Sequence, residues 1–140
     1  MGNIRSLQSF DAGRWDWAFL RGHIPRGLGC MDIDGVSEIN GFFLVLEGKR
    51  PNGQMQTPQR ICLERMSAIP GFTVLLVVGQ PGDPPTIDEI WRVVNRRWRE
   101  VDAPSLEALQ DIVAKWGRAA DNNWSTAVYT PPQWMLTGTE

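Results

Sequence analysis

The rhythm of hydrophobic and polar positions changes several times along the chain, and each change marks an element. Residues 33–39 alternate into Asn40-Gly41, and the run Phe42-Phe43-Leu44-Val45-Leu46 follows. An Asn-Gly pair between strand-like runs predicts a two-residue type I′ hairpin, because both central residues need positive φ. The second strand is apolar on both faces, so it belongs inside a covered sheet. Thr57-Pro58 then opens a helix, with threonine as the cap and proline in the first turn. Its apolar stripe is Ile61, Cys62, Met66 and Ile69, and Pro70-Gly71 ends it. Residues 72–78 (FTVLLVV) read as another doubly buried strand. Strand, helix and strand at this spacing make a parallel crossover unit, so an antiparallel hairpin feeds a parallel pair.

Beyond a loop at 79–85, residues 86–101 fit two patterns. Thr86 and Glu89 form a capping box, and Ile90, Trp91, Val94, Trp98 and Val101 fit one helical face. Residues 90–94 and 98–101 fit equally as two strands around Asn95-Arg96-Arg97. The local pattern alone favours the helix. A last amphipathic helix spans about 105–119, with Leu106, Leu109, Ile112, Val113 and Trp116 on its buried side. The tail from Asn122, with Trp124, Tyr129 and Trp134 among prolines, reads as a segment lying across the domain. The first 13 residues have weak periodicity and fit loose packing or a short helix. The whole predicts one α/β domain over 1–140, with its core at about 14–119. A mixed sheet of four or five strands is flanked by helices.

Composition narrows the class. A hydrophobic fraction of 42% with 21% charged residues is that of a soluble globular domain. No stretch approaches the ~20 apolar residues needed to span a bilayer, so no membrane partner is expected. The start lacks the apolar core of a secretory signal, and Gly2 and Ser6 only touch the short myristoylation pattern. Cys30 and Cys62 have no CxxC partner and read as buried, reduced thiols, which points to the cytoplasm. Most of the seven tryptophans are expected in the core.

The hairpin register brings the chemistry. With Asn40 and Gly41 as the loop, Ile39 pairs with Phe42, Glu38 with Phe43 and Val36 with Val45. Continuing the ladder sets Asp34 opposite Glu47 and Asp32 opposite Lys49, all four on one face. Opposed carboxylates repel, and a hard divalent cation relieves that repulsion. Lys49 can hold a water or neutralise charge developing on a phosphate. The group ends an apolar strand at its carboxyl end, where open α/β sheets place their sites.

These residues carry a resemblance. Asp34, the hairpin GVSEINGFFLVL and then Glu47-Gly48-Lys49 resemble the PD-(D/E)XK nuclease superfamily. In that family an aspartate opens one strand and an acidic-x-lysine motif ends the next. Gln59 is similar to the glutamine that RecB-like and phage-encoded members place behind the motif. From about Trp15 to Trp116 the chain resembles small phage-encoded, junction-resolvase-like members. The resemblance implies a restriction-endonuclease-like core and a hairpin, not a helix, at 88–101. The chain departs from the pattern in one place: Ile33 precedes Asp34 and Met31 precedes Asp32, so no Pro-Asp dipeptide exists. Either aspartate could then be the primary ligand. Register favours Asp34 and leaves Asp32 as an outer ligand.

The resulting expectation is a Mg²⁺-dependent deoxyribonuclease, with Mn²⁺ able to substitute. Asp34 and Glu47 bind the metal, with Asp32 in support. Lys49 positions the attacking water, and Gln59 supports the site. A homodimer in the cytoplasm of a bacterial host fits a phage-encoded resolvase. Arg21, Arg26, Arg50, Arg96 and Arg97 are the expected nucleic-acid contacts. Arg92, Arg96, Arg97 and Arg99 form the densest basic cluster, although the net charge is −2 and a solvated face explains the cluster equally well. His23 could touch phosphate beside Arg21 and Arg26. Asp11 or Asp16 could add an acidic ligand, and Trp15 or Trp17 could stack on a base. With no second histidine, zinc is not expected. The competing expectation is a non-catalytic accessory or inhibitor protein that uses the same fold to bind nucleic acid or a protein.

Overall fold

A computed structural model describes residues 15–123. The reading of the first 13 residues, Asp11 and the tail aromatics Trp124, Tyr129 and Trp134 fall outside them. The chain divides into two compact units between Asp32 and Ile33.

In the first unit, two short 3-10 turns occupy Trp17–Leu20 and Pro25–Gly27. Asp16 caps the first by accepting the Ala18 N–H at 2.9 Å. The Arg21 guanidinium donates to the Gly27 carbonyl at 3.3 Å. Trp15 and Trp17 stack on one another, with ring centroids 5.3 Å apart, and both are exposed.

The second unit holds the mixed sheet expected from the sequence. Strands β1 (Gly35–Ile39), β2 (Phe42–Lys49), β3 (Phe72–Gln80), β4 (Thr86–Val94) and β5 (Arg97–Glu100) lie side by side in chain order. Only β2 and β3 are parallel. Helices α1 (Thr57–Ser67) and α2 (Leu106–Asn122) complete the α/β fold.

Register assigns the faces. Val45, Val74 and Val93 are cross-strand neighbours on one face. They pack with Leu63 of α1, and Met55, Met66, Phe72 and Trp98 close around them. Leu44, Leu75 and Ile90 are also fully buried and lie on the opposite face by strand alternation. On that face Phe42 and Thr73 share a groove with Trp116 and Ala120 of α2. Both faces are therefore covered, which is why β2 and β3 carry apolar residues at successive positions. Each of these core side chains contributes about 1.5–3 kcal/mol by leaving water.

The first hairpin has the expected register, Ile39 with Phe42 through Val36 with Val45. Asn40 and Gly41 take φ of 53° and 85°, as a type I′ turn requires. Asn40 does more than turn. Its Nδ2 donates to the carbonyls of Ala120 (3.1 Å) and Asp121 (3.4 Å) in the last turn of α2, where Ala120 also accepts the Asn123 N–H at 3.3 Å.

Several expectations need correction. The hairpin that the resemblance implies at 88–101 is present, and the helix favoured by the local pattern is not; the hairpin turn is Asn95-Arg96 rather than Asn95-Arg96-Arg97, so Arg97 already pairs with Val94. Arg96 sits at φ 71°, a left-handed conformation costly for a side chain. Its N–H is held by Ser67 Oγ at 2.8 Å, which ties the turn to α1. Thr57 is the first residue of α1 rather than its cap; Gln56 precedes it without a side-chain capping bond. The helix stops at Ser67, so Ile69 lies beyond it and is 46% exposed, while Leu63 and Ser67 are the buried positions. The last helix runs to Asn122, further than expected, from a Ser105 cap that accepts the Ala108 N–H. Cys30 is exposed and Cys62 only half-buried, so neither is a core thiol. Among the described residues no tryptophan is fully buried.

Candidate functional site

The site forms where β2 and β3 end together. Lys49 pairs with Val78 and Glu47 with Leu76 in the parallel ladder. Strand alternation sets Val45, Glu47 and Lys49 on the face that α1 covers. Glu47 is buried at 6% exposure, one of two buried polar residues among those described. A carboxylate in such a place needs hydrogen bonds. Gln59, in the first turn of α1, donates from Nε2 to Glu47 Oε1 at 2.9 Å.

Asp34 stands just outside β1, where the paired ladder ends at Gly35–Leu46. Its Oδ2 accepts the Gly48 N–H at 2.8 Å. A side chain thus takes the donor that main chain would take if the strands stayed paired. The Asp34 carboxyl also acts on Glu47. Burial raises the Glu47 pKa above its ordinary value, and the Asp34 charge and a hydrogen bond between the two side chains raise it further. The Asp34 main chain and the Lys49 charge pull it the other way, and the raised direction prevails. Lys49 is half-buried, and its Nζ donates to the Gln54 carbonyl at 2.9 Å.

The structure therefore brings together Asp34, Glu47, Lys49 and Gln59. Arg50 follows Lys49 and is exposed at the same end of the sheet. Arg96 and Arg97 are not part of the group. Val94, the partner of Arg97, lies beyond Val93, which pairs with Val74 near the start of β3. That row is level with Val45, and the turn lies two to three residues further on, so the arginine turn sits about 20 Å from Lys49 along the strand axis at 3.3 Å per residue. Asp32, Arg21, Arg26 and His23 belong to the first unit. There Asp32, Arg21, Asp16 and the stacked tryptophans line a pocket of about 390 Å³. Arg26 and His23 are exposed.

Sequence reasoning missed two contributors to this end of the sheet. The register slips between Val78 and Gly79, forming a bulge against β4. A Cβ at Gly79 would come 1.9 Å from the Thr86 carbonyl oxygen, so only glycine fits there. Glycine inside an apolar strand was the available signal. The second is Gln54, whose carbonyl holds the lysine and which has no pattern to announce it.

The donor set suits a hard cation in kind, since two adjacent carboxylates carry charge that the protein leaves partly uncompensated. Among the described residues no three His, Cys, Asp or Glu side chains gather into a metal-holding cluster. A cation here would draw on the two carboxylates and complete its shell with water or substrate oxygens. No family model, curated protein or solved structure matches this chain.

Proposed function

We propose that the chain is a metal-dependent nuclease of the PD-(D/E)XK type, hydrolysing phosphodiester bonds in DNA. The observation that carries this reading is the close approach of two carboxyl groups, Asp34 and a buried Glu47, beside Lys49 at the end of the parallel strand pair. Asp34 and Glu47 would hold Mg²⁺, for which Mn²⁺ can substitute. Such an ion lowers the pKa of bound water and withdraws charge from a phosphoryl oxygen. Gln59 fixes the Glu47 carboxylate through its 2.9 Å bond to Oε1. The Gly48 N–H fixes Asp34 in the same way. Lys49 brings a cation next to the carboxylates, where it orients water and balances charge on the phosphate.

One observation favours a second reading, a non-catalytic protein that binds nucleic acid or a protein partner. The Lys49 ammonium is already engaged by the Gln54 carbonyl. The two readings separate by incubating linear and branched DNA with the protein and Mg²⁺ or Mn²⁺. Wild-type protein is expected to cleave, and Glu47→Ala and Lys49→Ala each to lose about 10²-fold or more. Equal cleavage by wild type and both variants overturns the assigned roles. Absence of both cleavage and divalent-ion binding establishes the second reading.

A further inference from the structure

The ends of β2 and β3 also border a pocket of about 330 Å³ that the proposed chemistry leaves unused. Its origin is legible in the strands. On the face away from α1, β2 runs Leu44, Leu46, Gly48 and β3 runs Leu75, Val77, Gly79. Both rows shrink to glycine at the same end. A Cβ at Gly48 would meet only Asp34 Oδ2, at 3.6 Å, so nothing but the missing side chain leaves that space open. Val77 and Ile87, with Pro81 and Pro85 of the intervening loop, give the pocket apolar walls. Gln80 and Thr86 add hydrogen-bonding groups, and Lys49, Arg50 and Asp34 border it. The proposed reaction centre and the pocket thus share Asp34 and Lys49.

We infer that this pocket receives one base of a single-stranded or locally unpaired nucleic acid, with the flanking backbone passing the strand ends at Asp34 and Lys49, the two residues it shares with the proposed reaction centre. The inference rests on the nuclease reading and names its substrate class. A volume near 300 Å³ is at the small end of ligand pockets and suits one nucleotide. Aliphatic walls pack on the faces of a heterocycle, and polar groups meet its edge. Two adjacent cations, Lys49 and Arg50, match the charge of the flanking backbone. A base inside a duplex enters only by leaving the stack, so an end, a loop or a junction at this point is the favoured substrate.

The test is metal-free binding by the full chain, measured by calorimetry. The probes are a thymidine pentanucleotide, an abasic pentamer of equal length and charge, and thymidine monophosphate. The base-containing pentamer is expected to bind at least about fivefold tighter than the abasic one, the effect of moving one heterocycle face from water onto apolar walls. Val77→Phe, which fills the pocket, should abolish that difference, and Ile87→Phe serves if Val77→Phe does not fold. Arg50→Ala should weaken both pentamers alike. Equal affinity for the two pentamers overturns the inference, as does a base preference that survives in a folded, filled variant. Monophosphate binding as tight as that of the pentamer overturns it too, since the site would then serve free nucleotides. Cleavage is not read in this assay. A chain that cleaves but ignores the base loses the pocket and keeps its reaction; one that reads the base without cleaving does the reverse.

Discussion

The two ends of the sheet are built on opposite principles. At the end that carries both tight turns, groups from other elements hold the chain in place. Asn40 holds the last carbonyls of α2, Ser67 holds the Arg96 N–H, and the Gly71 carbonyl accepts the Phe43 N–H at 2.8 Å. At the other end the ladder runs out, a bulge interrupts β3 and β4, and two carboxyl groups crowd together. Hydrogen bonds from other elements offset the positive φ at the first end. Like charge destabilises the second, and the missing side chain at Gly48 leaves space there. The cross-braced end and the candidate site are separated along the strand axis by about 20 Å.

That contrast can be broken from either side, and the largest effect is expected at the bulge. Gly79→Ala places a methyl group against the Thr86 carbonyl, which must move. Urea denaturation should record a loss of about 1–3 kcal/mol, the usual range for overpacking. An unchanged midpoint would mean that the bulge is soft and the pocket floor is not fixed.

The next largest effect belongs to the ordered end. Asn40→Ala loses both the tolerance for positive φ and the bonds to α2, for a cost of about 2 kcal/mol. Asn40→Gly keeps the turn and loses only those bonds, so about half that cost is expected. If the two variants are equally stable, the bond to α2 carries the whole effect and the backbone argument is wrong.

The smallest effect has the opposite sign. Glu47→Gln removes one of two repelling charges, and above the ordinary carboxylate range it should raise the metal-free melting temperature by about 2–4 °C. The sign follows from linkage. Folding raises the Glu47 pKa, so the folded state binds its proton more tightly than the unfolded chain does. The resulting destabilisation is absent below the unfolded pKa, grows as pH rises through the folded value and is complete above it. The gain in Glu47→Gln should therefore vanish in acid. A gain that is constant with pH would assign it to packing.

Much of this organisation was readable from residue order. The Asn-Gly turn fixed the pairing of β1 and β2, and that pairing placed Asp34 beside Glu47. Gln59 was found by resemblance and sits where a carboxylate partner must. The β4–β5 hairpin hid for a physical reason. Ile90 and Val93 are both buried, on opposite faces of a sheet covered on both sides. Burial on both faces erases the alternation of two and leaves a spacing of three that imitates a helix. Its turn lacks glycine, because Ser67 supplies from another element what glycine would supply locally. Glu64 shows the same limit: its carboxylate receives the Trp98 Nε1–H at 2.7 Å, a contact no local pattern encodes. The position of Arg96 and Arg97 was likewise beyond sequence, since clustering in the chain gives no direction relative to the acids.

One amide has a consequence for how the molecule assembles. Asn40 and Ala120 are 80 residues apart, yet a single side chain joins them. A hairpin of this size closes in microseconds, whereas contacts across such a separation wait for the intervening chain to order. The last helix therefore finds the donor for its terminal carbonyls already in place, and its final turn should be among the first to open in hydrogen exchange when Asn40 is replaced.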